Sequence, residues 1–114
     1  MASNSTRVDL LQGTLDLLVL RTLLFGAMHG HGVAKAIQRN SEDLLLVDHG
    51  SLYPALHRLE RKGWLVTQWQ DTAKGRPMKF YRLTASGRRQ LAAEQSKWEQ
   101  VCRAIGLVLK GAEG

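Results

Sequence analysis

Cysteine occurs once in these 114 residues, at Cys102. A single thiol cannot staple the chain internally, so a disulfide framework is excluded, and the usage suits a reducing compartment. Cys102 reads as a small buried hydrophobe, with a redox sensor as the alternative. Long apolar runs are also missing. The most apolar stretch, Leu15 to Leu24, is interrupted by Arg21 and is too short to span a bilayer. The opening "MASNSTRVDL" lacks the apolar core of a signal peptide. A soluble, cytoplasmic protein with no membrane association is therefore expected. There is no Ser/His/Asp set, phosphate-binding glycine loop or pair of carboxylates placed for acid–base work, so no enzymatic activity is expected. His29, His31, His49 and His57 fit no recognised metal-ligand spacing. No metal and no cofactor are expected.

Acidic residues are scarce too. Sixteen Lys and Arg face ten Asp and Glu, a net charge of +6. Residues 1–57 and 90–114 are close to balanced, so the excess lies between them. Residues 58–89 hold Arg58, Arg61, Lys62, Lys74, Arg76, Lys79, Arg82, Arg88 and Arg89 against Glu60 and Asp71 alone. A basic block of this kind is either a solvated face or a surface for an acidic partner, with nucleic acid first.

Apolar residues make up 44% and charged residues 23%, a globular composition. A domain of this length buries only about two thirds of its unfolded surface, so a partner subunit would help it. After a loose start at residues 1–12, "GTLDLLVLRTLLFGAMHG" reads as a helix. Thr14 is its cap, and Asp16 sits in the first turn where the helix dipole favours it. Its leucines cover nearly the whole circumference, which implies burial on two sides. One side is the chain's own core. A second subunit is the expected cover for the other, through Leu17, Leu20 and Leu24.

"HGHG", residues 29–32, reads as a break, and "VAKAIQRNS" as a second helix. "LLLV", residues 44–47, reads as a brief strand. A third helix follows in "DHGSLYPALHRLERKGWL". Then come two strands, "WLVTQWQ" and "MKFYRLT", joined by a turn carrying Gly75 and Pro77. A long helix from "TASGRRQL" onward completes the chain, about 36 Å or more in length. The expected fold is mainly α with a small β-hairpin wing. Residues 1–84 form a winged helix-turn-helix and residues 85–114 a C-terminal dimerisation helix. In that arrangement the third helix enters the DNA major groove beside the wing.

With Ser51 as the cap of the third helix, Pro54 falls in its first turn, where its missing N–H costs nothing. Leu52, Leu56 and Leu59 then form one buried stripe. Ser51, Tyr53, His57, Arg58 and Arg61 are left outside, suited to phosphates and base edges. Lys74, Arg76 and Lys79 bracket the turn of the wing, where a cation can meet phosphate or the minor groove.

"GSLYPALHRLERKGWL" followed by "GRPMKFYRLTASGRRQL" resembles the PadR family of bacterial transcriptional regulators. "GTLDLLVLRTL" and "HGHGVAKAI" are similar to the family's first two helices. The resemblance covers about residues 13–91. It implies a dimeric winged-helix DNA-binding protein, usually a repressor, of the smaller subgroup with one C-terminal helix. It carries DNA contact onto Ser51, Tyr53, Pro54 and His57, and in the wing onto Gly75, Arg76 and Lys79. Val33 departs from the pattern, since many members have an aromatic residue there.

In the last helix Leu91, Trp98 and Ile105 recur every seven residues, with Val101 and Val108 at offset seam positions. That spacing reads as a dimer seam. Trp98 serves either as a plain interface anchor or as a stacking platform for a small aromatic effector. Two functions from different classes follow. One is a sequence-specific transcriptional regulator, a dimeric repressor relieved by an effector. The other is a winged-helix protein–protein interaction module whose basic hairpin docks an acidic partner.

Overall fold

Leu15, Leu17, Val19, Leu20 and Leu23 are all buried, and they make the first helix the centre of the molecule. The computed structural model describes residues 12–111. In chain order these form α1 (Gln12–Leu23), β1 (Met28–His29), α2 (Gly30–Asn40), α3 (His49–Arg61), β2 (Leu65–Gln70), β3 (Met78–Leu83) and α4 (Ala85–Gly111). α1 packs against α2, α3, α4 and β3 of its own chain. The apolar circumference expected to need a second subunit is thus largely covered from within. Leu20 is fully buried and Leu17 nearly so, while Leu24 is half-buried against the same core. The loose start lies outside the described residues except for Gln12, which already belongs to α1. Thr14 is therefore inside the helix and not its cap, and Asp16 lies beyond the first turn.

α2 begins three residues earlier than expected. His29 is its cap, and the ring Nδ1 accepts the Gly32 N–H at 3.0 Å. Its buried side is Val33, Ala34, Ala36 and Ile37, so the Val33 side chain belongs to the core. Residues 44–47 are not a strand. The Leu45 N–H is taken by the Ser41 hydroxyl at 3.0 Å, and Leu45 and Val47 lean on the core from a loop. The third strand of the sheet is instead β1, only two residues long. The sheet runs β1-β3-β2, all antiparallel, with Met28 opposite Tyr81 and Leu65 opposite Leu83.

α3 also starts earlier than expected. Asp48 is the cap, and its Oδ1 accepts the Ser51 N–H at 2.7 Å. Pro54 consequently lies inside the helix, where it removes the bond that its N–H would have made to the Gly50 carbonyl. Gly50 is exposed, so water can take that carbonyl. Leu52, Leu56 and Leu59 form the buried stripe as expected, each fully enclosed. The helix ends at Gly63, whose φ of +80° suits glycine. There the Trp64 N–H bonds to the Leu59 carbonyl and the Gly63 N–H to that of Glu60, which closes the last turn.

α4 is 27 residues, about 40 Å. Only its first turns join the core, through Gly87 and Leu91. Beyond them the helix carries exposed apolar side chains: Trp98 44%, Val101 42%, Ile105 52%, Val108 74% and Leu109 76%. Cys102 is exposed among them and is not the buried hydrophobe expected. Among the described residues no helix is long and apolar enough to cross a membrane.

Candidate nucleic-acid interface

The outer face of α3 and the inner face of the wing share a groove of about 460 Å³. Its walls include Tyr53 and His57 from α3, Trp69 from β2, and Lys79 and Tyr81 from β3. The start of α2 closes one end with His29 and His31. Ser51, Pro54, His57 and Arg61 are exposed along α3. Tyr53 is half-buried, because its ring lies flush on Gly30. A Cβ at residue 30 would come within 2.7 Å of the Tyr53 ring and hydroxyl. Tyr53 is therefore a packing residue as well as a groove residue.

Arg58 does not stand on the outside. Its Nη2 donates to Asp16 Oδ1 on α1 at 2.6 Å, and both side chains are mostly covered. Its Nε is buried without a partner. The ion pair turns this guanidinium toward α1 and ties the two helices together. Removing Asp16 would strand a half-buried cation. Asp16→Ala is expected to cost about 1–3 kcal/mol in urea unfolding, whereas Arg61→Ala should change stability by less than about 0.5 kcal/mol.

At the wing tip Lys74, Gly75 and Arg76 are exposed. Gly75 has a φ of +85°, which any side chain would strain. The turn is internally braced: Thr72 Oγ1 donates to the Arg76 carbonyl at 2.7 Å, and the Gly75 N–H to the Thr72 carbonyl at 3.0 Å. Lys79 is not at the tip. It is half-buried in the groove, 3.8 Å from Glu60 and 5.5 Å from the centre of the Tyr81 ring. Burial, then the Glu60 carboxylate, then Tyr53 push the Tyr81 phenol above its ordinary range, so it stays a neutral donor. Of the basic block, Arg61, Lys62, Lys74, Arg76, Arg82, Arg88 and Arg89 remain exposed. They make no ion pair among the described residues.

Several residues in or beside the groove were not in the sequence-derived set, among them Trp69, His31 and His49. Trp69 is 66% exposed and lies opposite Lys79 in the hairpin. Its signal was available: Leu65, Thr67 and Trp69 alternate along β2, and Leu65 is buried. His31 and His49 are brought together only by the packing of α2 on α3, which no local pattern shows. Among the described residues no group of three or more His, Cys, Asp or Glu side chains could hold a metal ion.

Three helices around a shared core, a hairpin wing beside the third and a long helix after it define a winged helix-turn-helix protein. The model of the transcriptional regulator PadR-like family matches residues 19–93, and the chain belongs to that family. It is a family of regulators, not of enzymes. A transcriptional regulator of Mycobacterium tuberculosis is 35% identical over 78 residues, spanning 68% of this chain and 69% of that protein. The structure of a transcriptional regulator from Clostridium thermocellum matches with a TM-score of 0.80 at 25% identity, over 87% of this chain and 96% of that one. A PadR family regulator from Eggerthella lenta matches with a TM-score of 0.75 at 30% identity, over 87% and 84%.

Proposed function

We propose that the chain is a sequence-specific DNA-binding protein that acts as a homodimer and represses transcription by occupying its operator. The observation that carries this reading is the shared groove. Tyr53 and His57 of α3 and the inner wall of the wing face the same space, and the tip beyond it carries Lys74 and Arg76. Ser51, Tyr53, Pro54 and His57 present hydroxyls, an imidazole and a small apolar ring to base edges and adjoining phosphates. Lys74, Gly75 and Arg76 at the tip, with Arg61 at the end of α3, meet the backbone. Arg58 is left out of this set because of its bond to Asp16.

Dimerisation is assigned to the exposed α4 row of Trp98, Val101, Ile105 and Val108. Leu17, Leu20, Leu24 and Leu91 belong instead to the protomer's own core or its edge, with Leu17 beside Trp98 and Val101. A groove of about 280 Å³ lies against Trp98, lined also by Thr14, Leu17 and Val101. This is where a small aromatic effector would stack. The domain division follows the same logic: residues 1–84 read DNA and residues 85–114 pair the subunits.

The wing supplies affinity more than sequence choice. Its tip cations, Lys74 and Arg76, are exposed on a turn, and phosphates carry no sequence information. Arg76→Ala is therefore expected to weaken operator and random DNA by similar factors and to make the salt slope shallower by roughly one unit. Ser51→Ala should weaken the operator far more than random DNA. The experiment is a titration of both duplexes with both variants across several salt concentrations. Loss confined to the operator on changing Arg76, with an unchanged slope, would mean that Arg76 reads bases.

A further inference from the structure

Three of the chain's histidines line the α3–wing groove, His29, His31 and His57, and the fourth, His49, packs between His31 and Tyr53 beside it. His29 and His31 stack with ring centres 6.3 Å apart. His31 meets His49 edge-on at 5.7 Å, and His49 meets Tyr53 in the same way at 5.5 Å. His57 lines the groove with His29, His31 and Tyr53. One of the four is already in use: His29 is half-buried and its Nδ1 caps α2. The other three are exposed.

We infer that His31, His49 and His57 form a proton-taking contact for DNA phosphate, so that operator binding takes up protons and tightens as pH falls. The inference rests on the DNA-binding reading above and adds to it the side chains at the starts of α2 and α3.

The groups around these imidazoles decide the matter. Among the described residues none of the three is paired with a carboxylate. Asp48 adjoins His49, but its Oδ1 already accepts the Ser51 N–H. Glu60 accepts from Thr67 at 3.1 Å and faces Lys79. The remaining charged neighbours are cations: Lys35, one turn along α2 from His31, Arg61, one turn along α3 from His57, and Lys79 from β3. Tyr53 and Tyr81 add neutral phenols. Apart from Asp48, which caps α3 beside His49, the charges nearest these rings are cations, and an incoming phosphate supplies a further anion. A phosphate beside an imidazole favours its protonated form, and each imidazolium adds one ionic contact. Binding raises the proton affinity of the rings. The gain is therefore full below their free-state range and is lost as pH rises through the bound-state range. Imidazoles change charge between about pH 5 and 8, while carboxylates, lysine, arginine and tyrosine titrate outside the upper part of that window.

The test uses the whole chain and its selected operator fragment at fixed salt, at about pH 6, 7 and 8. The parent should bind about tenfold or more tightly at the lowest pH than at the highest. Its salt slope should also steepen by roughly one unit for each imidazole protonated. The double variant His31→Gln, His49→Gln should bind like the parent at the highest pH, lose most of the pH gain, and keep one slope throughout. His57→Gln is the second arm and should lose a smaller share. Melting curves matching the parent's show that the variants fold. A parent whose affinity is flat with pH overturns the inference and leaves the DNA reading standing, as does a folded double variant that keeps the full dependence. Failure to bind DNA at any pH would bring down the DNA reading itself.

Discussion

Gly87→Ala lowers the stability of the protein by about 3 kcal/mol, at the upper end of what an added methyl in a packed site costs. A Cβ at this position would overlap the Trp64 carbonyl oxygen and come within 2.8 Å of Leu83 Cδ1. The obstacle is backbone, which cannot swing aside as a side chain does. It is also backbone in use, because the Trp64 carbonyl accepts the Thr84 N–H at 3.1 Å. Thr84 Oγ1 in turn donates to the Gly63 carbonyl at 2.7 Å and accepts the Gly87 N–H at 2.9 Å. One added methyl therefore pushes on the joint where α3, β2 and α4 meet. In thermal unfolding the midpoint should fall by roughly 10–20 °C. Gly106→Ala is the control. The same change on the same helix meets nothing within 4 Å, so it should stabilise by about 0.5–1 kcal/mol through helix propensity. Equal effects at the two glycines would show that the contact at Trp64 is not tight.

Charging the α4 row should have the largest effect on function. Val101→Asp with Ile105→Asp is expected to give a folded monomer, since both side chains are exposed in the protomer and lie outside its core. Losing the second subunit removes the effective concentration that one bound half gives the other. Operator affinity should fall about 10²–10⁴-fold, while melting of the protomer core persists. Sedimentation at micromolar concentration reads the state of assembly directly. A variant that still sediments as a dimer would place the interface elsewhere.

How far the sequence could be read depended on distance along the chain. The hairpin was legible because its evidence is local: β-prone runs on either side of Gly75 and Pro77. The buried stripe of α3 was legible for the same reason, since Leu52, Leu56 and Leu59 repeat at helical spacing. The start of α3 was misplaced because Asp48 and Ser51 can both cap. Pro54 argued for Ser51, by way of a rule that an exposed Gly50 carbonyl relaxes. β1 was invisible, being two residues whose partners, Tyr81 and Phe80, lie some fifty residues on. The apolar run at 44–47 looked more like a strand than β1 did, but it pairs with no strand, and Leu45 and Val47 pack on the core from a loop. Arg58 was misread because its partner, Asp16, is 42 residues away. The histidines were legible as a composition and not as a cluster, since only the packing of α2 on α3 assembles them.

The most direct test of the central claim is the salt dependence of binding to a selected operator and to a random duplex of equal length. DNA recovered with the protein from sheared genomic fragments supplies the operator. With about six phosphates neutralised, the logarithm of affinity should fall with the logarithm of salt at a slope near −5 for both duplexes. The operator should be held at least about 10³-fold more tightly. Its footprint should be two-fold symmetric, with half-sites about one helical turn apart or a multiple of it. Affinity that is the same for both duplexes, or that barely responds to salt, would contradict the account and favour a module that docks an acidic protein.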